Sequence, residues 1–346
     1  MTQTIELALD TFGDVSVDAA GQPLSQAQVL RNVVEQGVLA DQVGIDFFAL
    51  GEHHRKDFSV SAPDVVLAAI AARTSRIHLG SAVTVLSSDD PIRVYQRFST
   101  LNAISGGRAE VVVGRGSFTE SFPLFGFDLS KYEELFEEKL NLFAELVKSK
   151  PVTWKGNHRS ALRDQAVYPP IETGTLRTWI AVGGTPQSVV RAAHYGFPLM
   201  LAIIGGSHHR FVPFVELYHK ALERSGQPTQ PIGAHSPGHV AATDQEARDQ
   251  LWPHYADLMN RIGRERGWAP INRAHFENEA SSGALCVGSP ETVAKKIASA
   301  MQALGLSRFE LKYANGTMPH EQLMTSIELY GTKVAPMVKE IMKKQK

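Results

Sequence analysis

Glu52, His53 and His54 stand together at the end of the apolar run Phe47–Leu50, so a buried strand opens directly onto a carboxylate and two imidazoles. An unperturbed imidazole titrates near neutral pH, which suits it to general acid–base chemistry or to metal ligation. Side chains alternate along an extended strand, so the two neighbouring histidines face opposite ways. That geometry disfavours a metal site using both, and no metal is expected. His53 is the candidate catalytic residue, with Glu52 a candidate pocket residue and His54 in support. The basic Arg55 and Lys56 behind them fall outside the chemistry.

A second kind of chemistry is carried by glycines. VGGTPQS (Val182 to Ser188) and IIGGSHHR (Ile204 to Arg210) each put a glycine pair and a hydroxyl at the start of a helical pattern. Exposed backbone N–H groups, a hydroxyl and the positive end of a helix are what an anion needs. Gly183, Gly184 and Thr185, and likewise Gly205 and Gly206, therefore read either as anion sites or as tight turns with caps. Arg115, in GRGSFTESF, could add a bidentate phosphate contact or serve a surface ion pair. Together these residues suggest a phosphorylated ligand. Asp89-Asp90 ahead of Pro91 reads as a helix start rather than a metal pair. His208 and His209 either line a pocket or begin a helix, and His235 and His239 are open between pocket and core.

The elements that must position these groups alternate along nearly the whole chain. Eight apolar, β-rich runs are expected as strands: Ile5–Phe12, Phe47–Leu50, Ile77–Leu86, Arg108–Gly114, Thr178–Gly183, Pro198–Ile203, one within Pro231–Thr243, and Arg308–Tyr313. Each is followed by a helical pattern, such as Tyr132, Leu135, Phe136, Leu140, Phe143 and Val147 on one face. Ser61 is expected to cap the second helix, with Pro63 in its first turn. Residues 150–177 read as a hairpin-bearing insertion and 267–283 as an irregular surface loop. No composition break divides the chain, so a single (β/α)8 TIM barrel over residues 1–346 is predicted. A doubly wound sheet is the runner-up, but no G-x-G-x-x-G follows the first strand. In a barrel, catalytic residues sit after the carboxyl ends of strands, where Glu52-His53-His54, Arg115, Gly183–Thr185 and Gly205–Gly206 all fall.

Composition excludes several classes of function. Of 346 residues, 35 are Lys or Arg and 36 are Asp or Glu, so no basic surplus argues for nucleic acid. No apolar run approaches the roughly 18 residues of a membrane span. No basic segment followed by an apolar one is visible at the N-terminus, so a cytoplasmic location is expected. The lone Cys286 rules out an internal disulfide and a multi-cysteine metal centre.

The run Gly51 to Gly116 resembles the bacterial-luciferase-like flavin-dependent oxidoreductases, which are TIM-barrel enzymes using reduced flavin. It carries, in the family's order, Glu52-His53-His54, Gly80-Ser81-Ala82-Val83, Asp90-Pro91-Ile92-Arg93 and Ser105 to Gly116. Val182–Leu201 and Cys286–Ile297 resemble its second half. The resemblance implies a monooxygenase acting with reduced FMN and O2 on a small organic substrate. The alternatives are hydride transfer with the deazaflavin F420, or a flavin-binding protein without catalysis. It implies that Arg115, Gly184, Thr185 and Ser188 hold the flavin phosphate, and that Ala82 and Val83 share a cis peptide under the flavin ring. His53 then lies near the reactive edge, with Phe118 and Tyr132 as walls. An NAD(P)H:flavin reductase as partner, or reduction in place, and a homodimer are further implications. True luciferases carry a reactive cysteine immediately before the arginine, where this chain has Gly114, so light emission from long-chain aldehydes is not expected.

Overall fold

The computed structural model describes residues 4–344. Its strands are β1 (Glu6–Thr11), β2 (Phe47–Leu50), β3 (His78–Ser81), β4 (Thr84–Val85), β5 (Glu110–Gly114), β6 (Val152–Trp154), β7 (Leu162–Gln165), β8 (Arg177–Val182), β9 (Leu199–Ala202), β10 (Ile232–Val240), β11 (Cys286–Gly288) and β12 (Arg308–Lys312). Parallel pairing runs β3-β2-β1-β12-β10-β9-β8-β5-β4, and a bridge between Leu79 and Ala109 brings the two ends together. The chain is thus a nearly closed α/β TIM barrel, as the alternation of patterns predicts. β6 and β7 form the antiparallel hairpin expected within residues 150–177.

Strand parity sorts the core into two regions. Leu7, Leu9, Phe48, Leu50 and Leu79 face outward and pack with Val33, Ile70 and Val94 of the surrounding helices. Ala8, Phe47, Ala49 and Ala82 face inward on one side of the barrel, and Val112, Trp179 and Met200 on the other. These two groups of side chains fill the interior of the barrel without a pore.

The base of the barrel is ionic. The first residues of β1, β5, β8 and β12 are Glu6, Glu110, Arg177 and Arg308, and their side chains meet across the opening. Arg308 is fully buried; it bonds Glu6 at 2.6 Å and both oxygens of Glu110 at 2.9 and 3.1 Å. Its guanidinium lies 4.1 Å from the Phe47 ring centre and 4.5 Å from that of Trp179. Every strand that contributes a charge is thereby tied to its neighbours at one end, leaving the other end free for loops.

Three expectations need correction. The run Ile77–Leu86 is two strands rather than one, because the Ala82–Val83 peptide between β3 and β4 is cis and turns the chain. Ser61 does not cap the second helix: Ala62 holds that position without a side-chain bond, and Pro63 opens the helix Pro63–Ala71. The segment 267–283 is not wholly irregular, since Arg273–Ser281 is a helix capped by Asn272, whose side chain accepts from His275 N–H. Lys296 Nζ donates to the Glu279 and Ala280 carbonyls at its other end, at 3.0 and 2.8 Å. The polar composition of that segment hides its one buried face, Phe276, Glu279 and Ala280.

Glu110→Gln should expose what the base network contributes. Burial pushes the Glu110 carboxyl up, but Arg308, His78 and Arg177 pull it further down, from 4.5 to about 2. A lowered folded-state value gives stability that is present above the ordinary carboxylate range and is lost as pH falls toward 2. The substitution leaves Arg308 buried with half its partners, so a loss of about 3–5 kcal/mol is expected at neutral pH. Urea unfolding across a pH series checks this: the gap between wild type and variant should narrow on acidification, and a pH-independent gap would contradict it.

Candidate active site

The carboxyl ends of the strands bring most of the sequence-predicted residues to one face. Arg115 follows β5 directly, and Thr185 precedes the helix Pro186–His194 that follows β8. Thr185 is in the extended conformation of an N-cap, yet its hydroxyl makes no cap bond; it donates instead to Ser188 Oγ at 2.7 Å. Arg115 Nη2 donates to the same Ser188 oxygen at 3.3 Å, and its Nη1 pairs with the exposed Glu133. Gly184 has φ of +109°, which an L side chain rarely adopts, and a Cβ at Gly183 would meet open space. Tyr132 donates to the Gly116 carbonyl at 2.5 Å and sets its ring 5.4 Å from the Arg115 guanidinium. A cation, two hydroxyls and a helix start thus converge where a phosphate would compete with one exposed carboxylate, Glu133.

Beside this corner lies the cis peptide. Ala82 packs with Ala8, Phe47 and Ala49, and Val83 packs with Val112, Trp179 and Met200, so the peptide caps the apolar interior. Glu52 fixes it from the side. Its N–H donates to the Val83 carbonyl at 3.2 Å, one carboxylate oxygen accepts from Val85 N–H at 3.0 Å, and the other meets His54 Nε2 at 2.9 Å. Glu52 and His54 are therefore a clamp on β4, not ligands facing a cavity. Gly114 is explained by the same contact: a Cβ there would lie 2.8 Å from Val83 Cγ2, so a cysteine has no room.

His53 turns the other way, into a box of rings. Phe12, Phe58 and Phe118 lie 4.5, 4.8 and 5.2 Å from it between ring centres. Burial pushes its imidazole down to about 3, and Lys312, Arg55 and His54 add to the effect. At neutral pH this ring is neutral. The expectation that His53 titrates near neutrality, as an unperturbed imidazole does, is corrected by desolvation. Arg55, set aside in the sequence, fastens the box: it bonds Asp57 at 3.2 Å, Glu265 at 2.9 Å and also Glu120, with its guanidinium 4.6 Å over Phe118.

The second glycine pair has a different fate. Gly206 N–H donates to both oxygens of Glu279, at 3.0 and 3.2 Å, so the protein's own carboxylate occupies what the sequence offers as an anion site. Through this bond Gly206 holds the helix Arg273–Ser281. His208 Nε2 bonds Ser236 at 3.0 Å and His239 Nε2 bonds Gln250 at 2.7 Å, both in buried settings, while His209 is exposed. His235 alone of these reaches the barrel interior with a carboxylate partner, Asp10, 2.7 Å away. Asp10 and Glu310, also buried there, were not found by motif; the signal was strand parity, since Asp10 shares the inward face of Glu6 and Ala8.

The family described as luciferase-like monooxygenase matches residues 11–308. The alkanal monooxygenase alpha chain of Photorhabdus luminescens is 22% identical over 365 residues, covering 95% of this chain and 97% of that one. With the protein y4vJ of Sinorhizobium fredii the identity is 29% over 185 residues, and the chain spans about half of that relative, 52%. Among solved structures, the oxygenating constituent of 3,6-diketocamphane monooxygenase from Pseudomonas putida, in complex with FMN, superposes with a TM-score of 0.78 at 19% identity, covering 97% and 99% of the two chains. An F420-dependent secondary alcohol dehydrogenase does so at 0.75 and 17%, again covering 97% and 99%. The extent of the family match, running from β1 to β12, settles the assignment: this chain belongs to the luciferase-like monooxygenase family.

Proposed function

We propose that the chain binds reduced FMN and uses it with O2 to oxygenate a small organic substrate. The observation that carries this reading is the convergence of Arg115, Thr185 and Ser188 beside the cis peptide of Ala82 and Val83. The residues fit the cofactor: Thr185 leaves the helix start without a side-chain cap, and no side chain fills the space at Gly183. Arg115, Ser188, Thr185 and the amides around Gly184 would hold the phosphate, and the Ala82–Val83 peptide would carry the ring. Bound reduced FMN supplies the electrons for oxygen chemistry; the protein supplies position and a dry cavity.

Each wall residue then has a physical task. Phe12, Phe58 and Phe118 exclude water from His53, and Arg55 keeps them closed by holding the loops after β2 and β5 together. A neutral His53 acts through a hydrogen bond at the reactive edge rather than through an imidazolium charge. Reduced FMN arrives from an NAD(P)H:flavin reductase or is formed in place, and the enzyme works in the cytoplasm as a homodimer. F420, whose phosphate is a diester and also anionic, is the second reading, supported by the fold shared with an F420-dependent dehydrogenase.

Fluorescence titration with FMN, reduced FMN and F420 tests the cofactor directly; binding of none of them would overturn the proposal. Arg115→Ala removes the charge-assisted contact and should weaken FMN binding by about 10–100-fold. His53→Ala should leave FMN affinity unchanged and lower oxygen-dependent turnover by roughly 10²-fold. Turnover of the wild type should show no ionisation attributable to His53 near neutral pH, because its value lies at about 3. A near-neutral step in the pH profile that disappears in His53→Ala would refute the neutral-imidazole role.

A further inference from the structure

We propose that Asp10, His235 and Glu310 form an acid–base site in the barrel interior, with His235 Nε2 as the atom that takes a proton from bound substrate. The proposal rests on the oxygenase reading only for the claim that the substrate enters at this end of the barrel. The three residues come from the neighbouring strands β1, β10 and β12, and their polar atoms lie within 4.8 Å of one another. Asp10 is 0% exposed and Glu310 1%. Asp10 Oδ1 and Glu310 Oε1 have no hydrogen-bond partner among the described residues.

Charge pairing around the site is lopsided. Glu6 and Glu110 are answered by Arg177 and Arg308, and Asp14 by Lys312 at 3.1 Å. Arg308 Nη1 comes only to 3.8 Å from Glu310 Oε1, beyond hydrogen-bond reach. Two buried carboxyl groups are left sharing one histidine, and both cannot stay ionised in so dry a place without a cation. Burial pushes Glu310 far up; Arg308 pulls it down, but Asp10, Glu110 and Glu6 push it up again. Of the two carboxyl groups, Glu310 is the one that burial favours in its protonated form.

The tautomer of His235 follows. Asp10 Oδ2 lies 2.7 Å from His235 Nδ1; an ionised carboxylate can only accept there, which places the hydrogen on Nδ1 and the lone pair on Nε2. That nitrogen makes no hydrogen bond among the described residues, and the ring lies 6.4 Å from Phe12 at 12° between planes. Phe12 also touches His53, so the two histidines serve one mouth. Their environments divide the work: His53 is desolvated by rings, whereas His235 has a carboxylate to stabilise an imidazolium. In the step assigned to it, the substrate X–H bond breaks heterolytically, the electron pair stays on X, and the proton moves to Nε2. Nothing is oxidised in that step. The substrate class is a small molecule with an acidic hydroxyl, or with a C–H next to a carbonyl.

Histidine-labelled protein, without flavin, tests this by nitrogen NMR, with His235→Asn to assign the signal. The wild type should show His235 protonated on Nδ1 alone. Glu310→Gln, which mimics the neutral acid, should keep that tautomer. Asp10→Asn should move the hydrogen to Nε2 and slow diethyl pyrocarbonate modification of His235 on the order of ten-fold. His235 found with its hydrogen on Nε2 in the wild type, or inert to the reagent, would overturn the proposal. So would a stoichiometric divalent metal retained by the wild type and lost from Glu310→Gln, because a cation would then explain the carboxyl pair. FMN affinity should be unchanged in His235→Asn. A wild type that shows the tautomer but binds no flavin would sink the oxygenase reading alone.

Discussion

The Glu52 carboxylate has no free oxygen, and much of the site depends on that. One oxygen holds Val85 N–H and the other holds His54, while the Glu52 backbone holds the Val83 carbonyl. The loop after β2 is thereby locked to the strand that follows the cis peptide. Because His54 is drawn to Glu52, its neighbour His53 must point the opposite way, into the rings of Phe12, Phe58 and Phe118. The same lock sets Val83 against Gly114, which fixes where β5 ends and Arg115 begins. A buried carboxylate that accepts from both sides is costly to remove, since its partners would be left unsatisfied. That makes Glu52 a positioning residue whose influence reaches the phosphate corner without touching it.

Desolvation grades the interior from one end to the other. At the base, acids and arginines are matched and mutually bonded, so burial is offset and Glu110 falls to about 2. In the middle, Ala8, Phe47, Val112 and Trp179 separate that network from the mouth. Higher up, Asp10 and Glu310 are buried without matched cations. A barrel with only the first arrangement would be inert. Unbalanced polar groups are stabilised less well and are found where chemistry is done. The contrast is one of charge pairing, since the base acids each meet an arginine while Asp10 and Glu310 do not come within hydrogen-bond reach of one among the described residues.

Much of the barrel was legible because strands buried on both faces read as short apolar runs and their helices as periodic ones. The ends of those runs also located Arg115, Thr185 and His53, since function in a barrel concentrates after strand carboxyl ends. What stayed hidden depended on contacts between distant segments. No local signal says that Gly206 will meet Glu279, some 73 residues on, or that Arg55 will meet Glu265 across 210. The helix Arg273–Ser281 was missed for the same reason, its polar composition masking a face that only tertiary packing buries. Asp10 lay in plain view inside an apolar strand, but its meaning needed Glu310 and His235 from strands remote in sequence.

The two glycine pairs show how far a local motif can go. Both Gly183-Gly184-Thr185 and Gly205-Gly206-Ser207 present amides and a hydroxyl at a helical start, and the principle of anion binding applies equally to each. At the second, Ser207 does cap the following turn, and the buried Glu279 fills the remaining demand from inside the chain. At the first, the hydroxyl of Thr185 turns away from the cap toward Ser188 and Arg115, and the nearest carboxylate, Glu133, stands on the exposed side. An anion arriving from solvent can displace an exposed carboxylate far more readily than a buried one, because the surface pair is screened and loses little on separation. Two segments with one sequence signature therefore differ in how open they are to an outside anion, by the depth of the carboxylate that answers them.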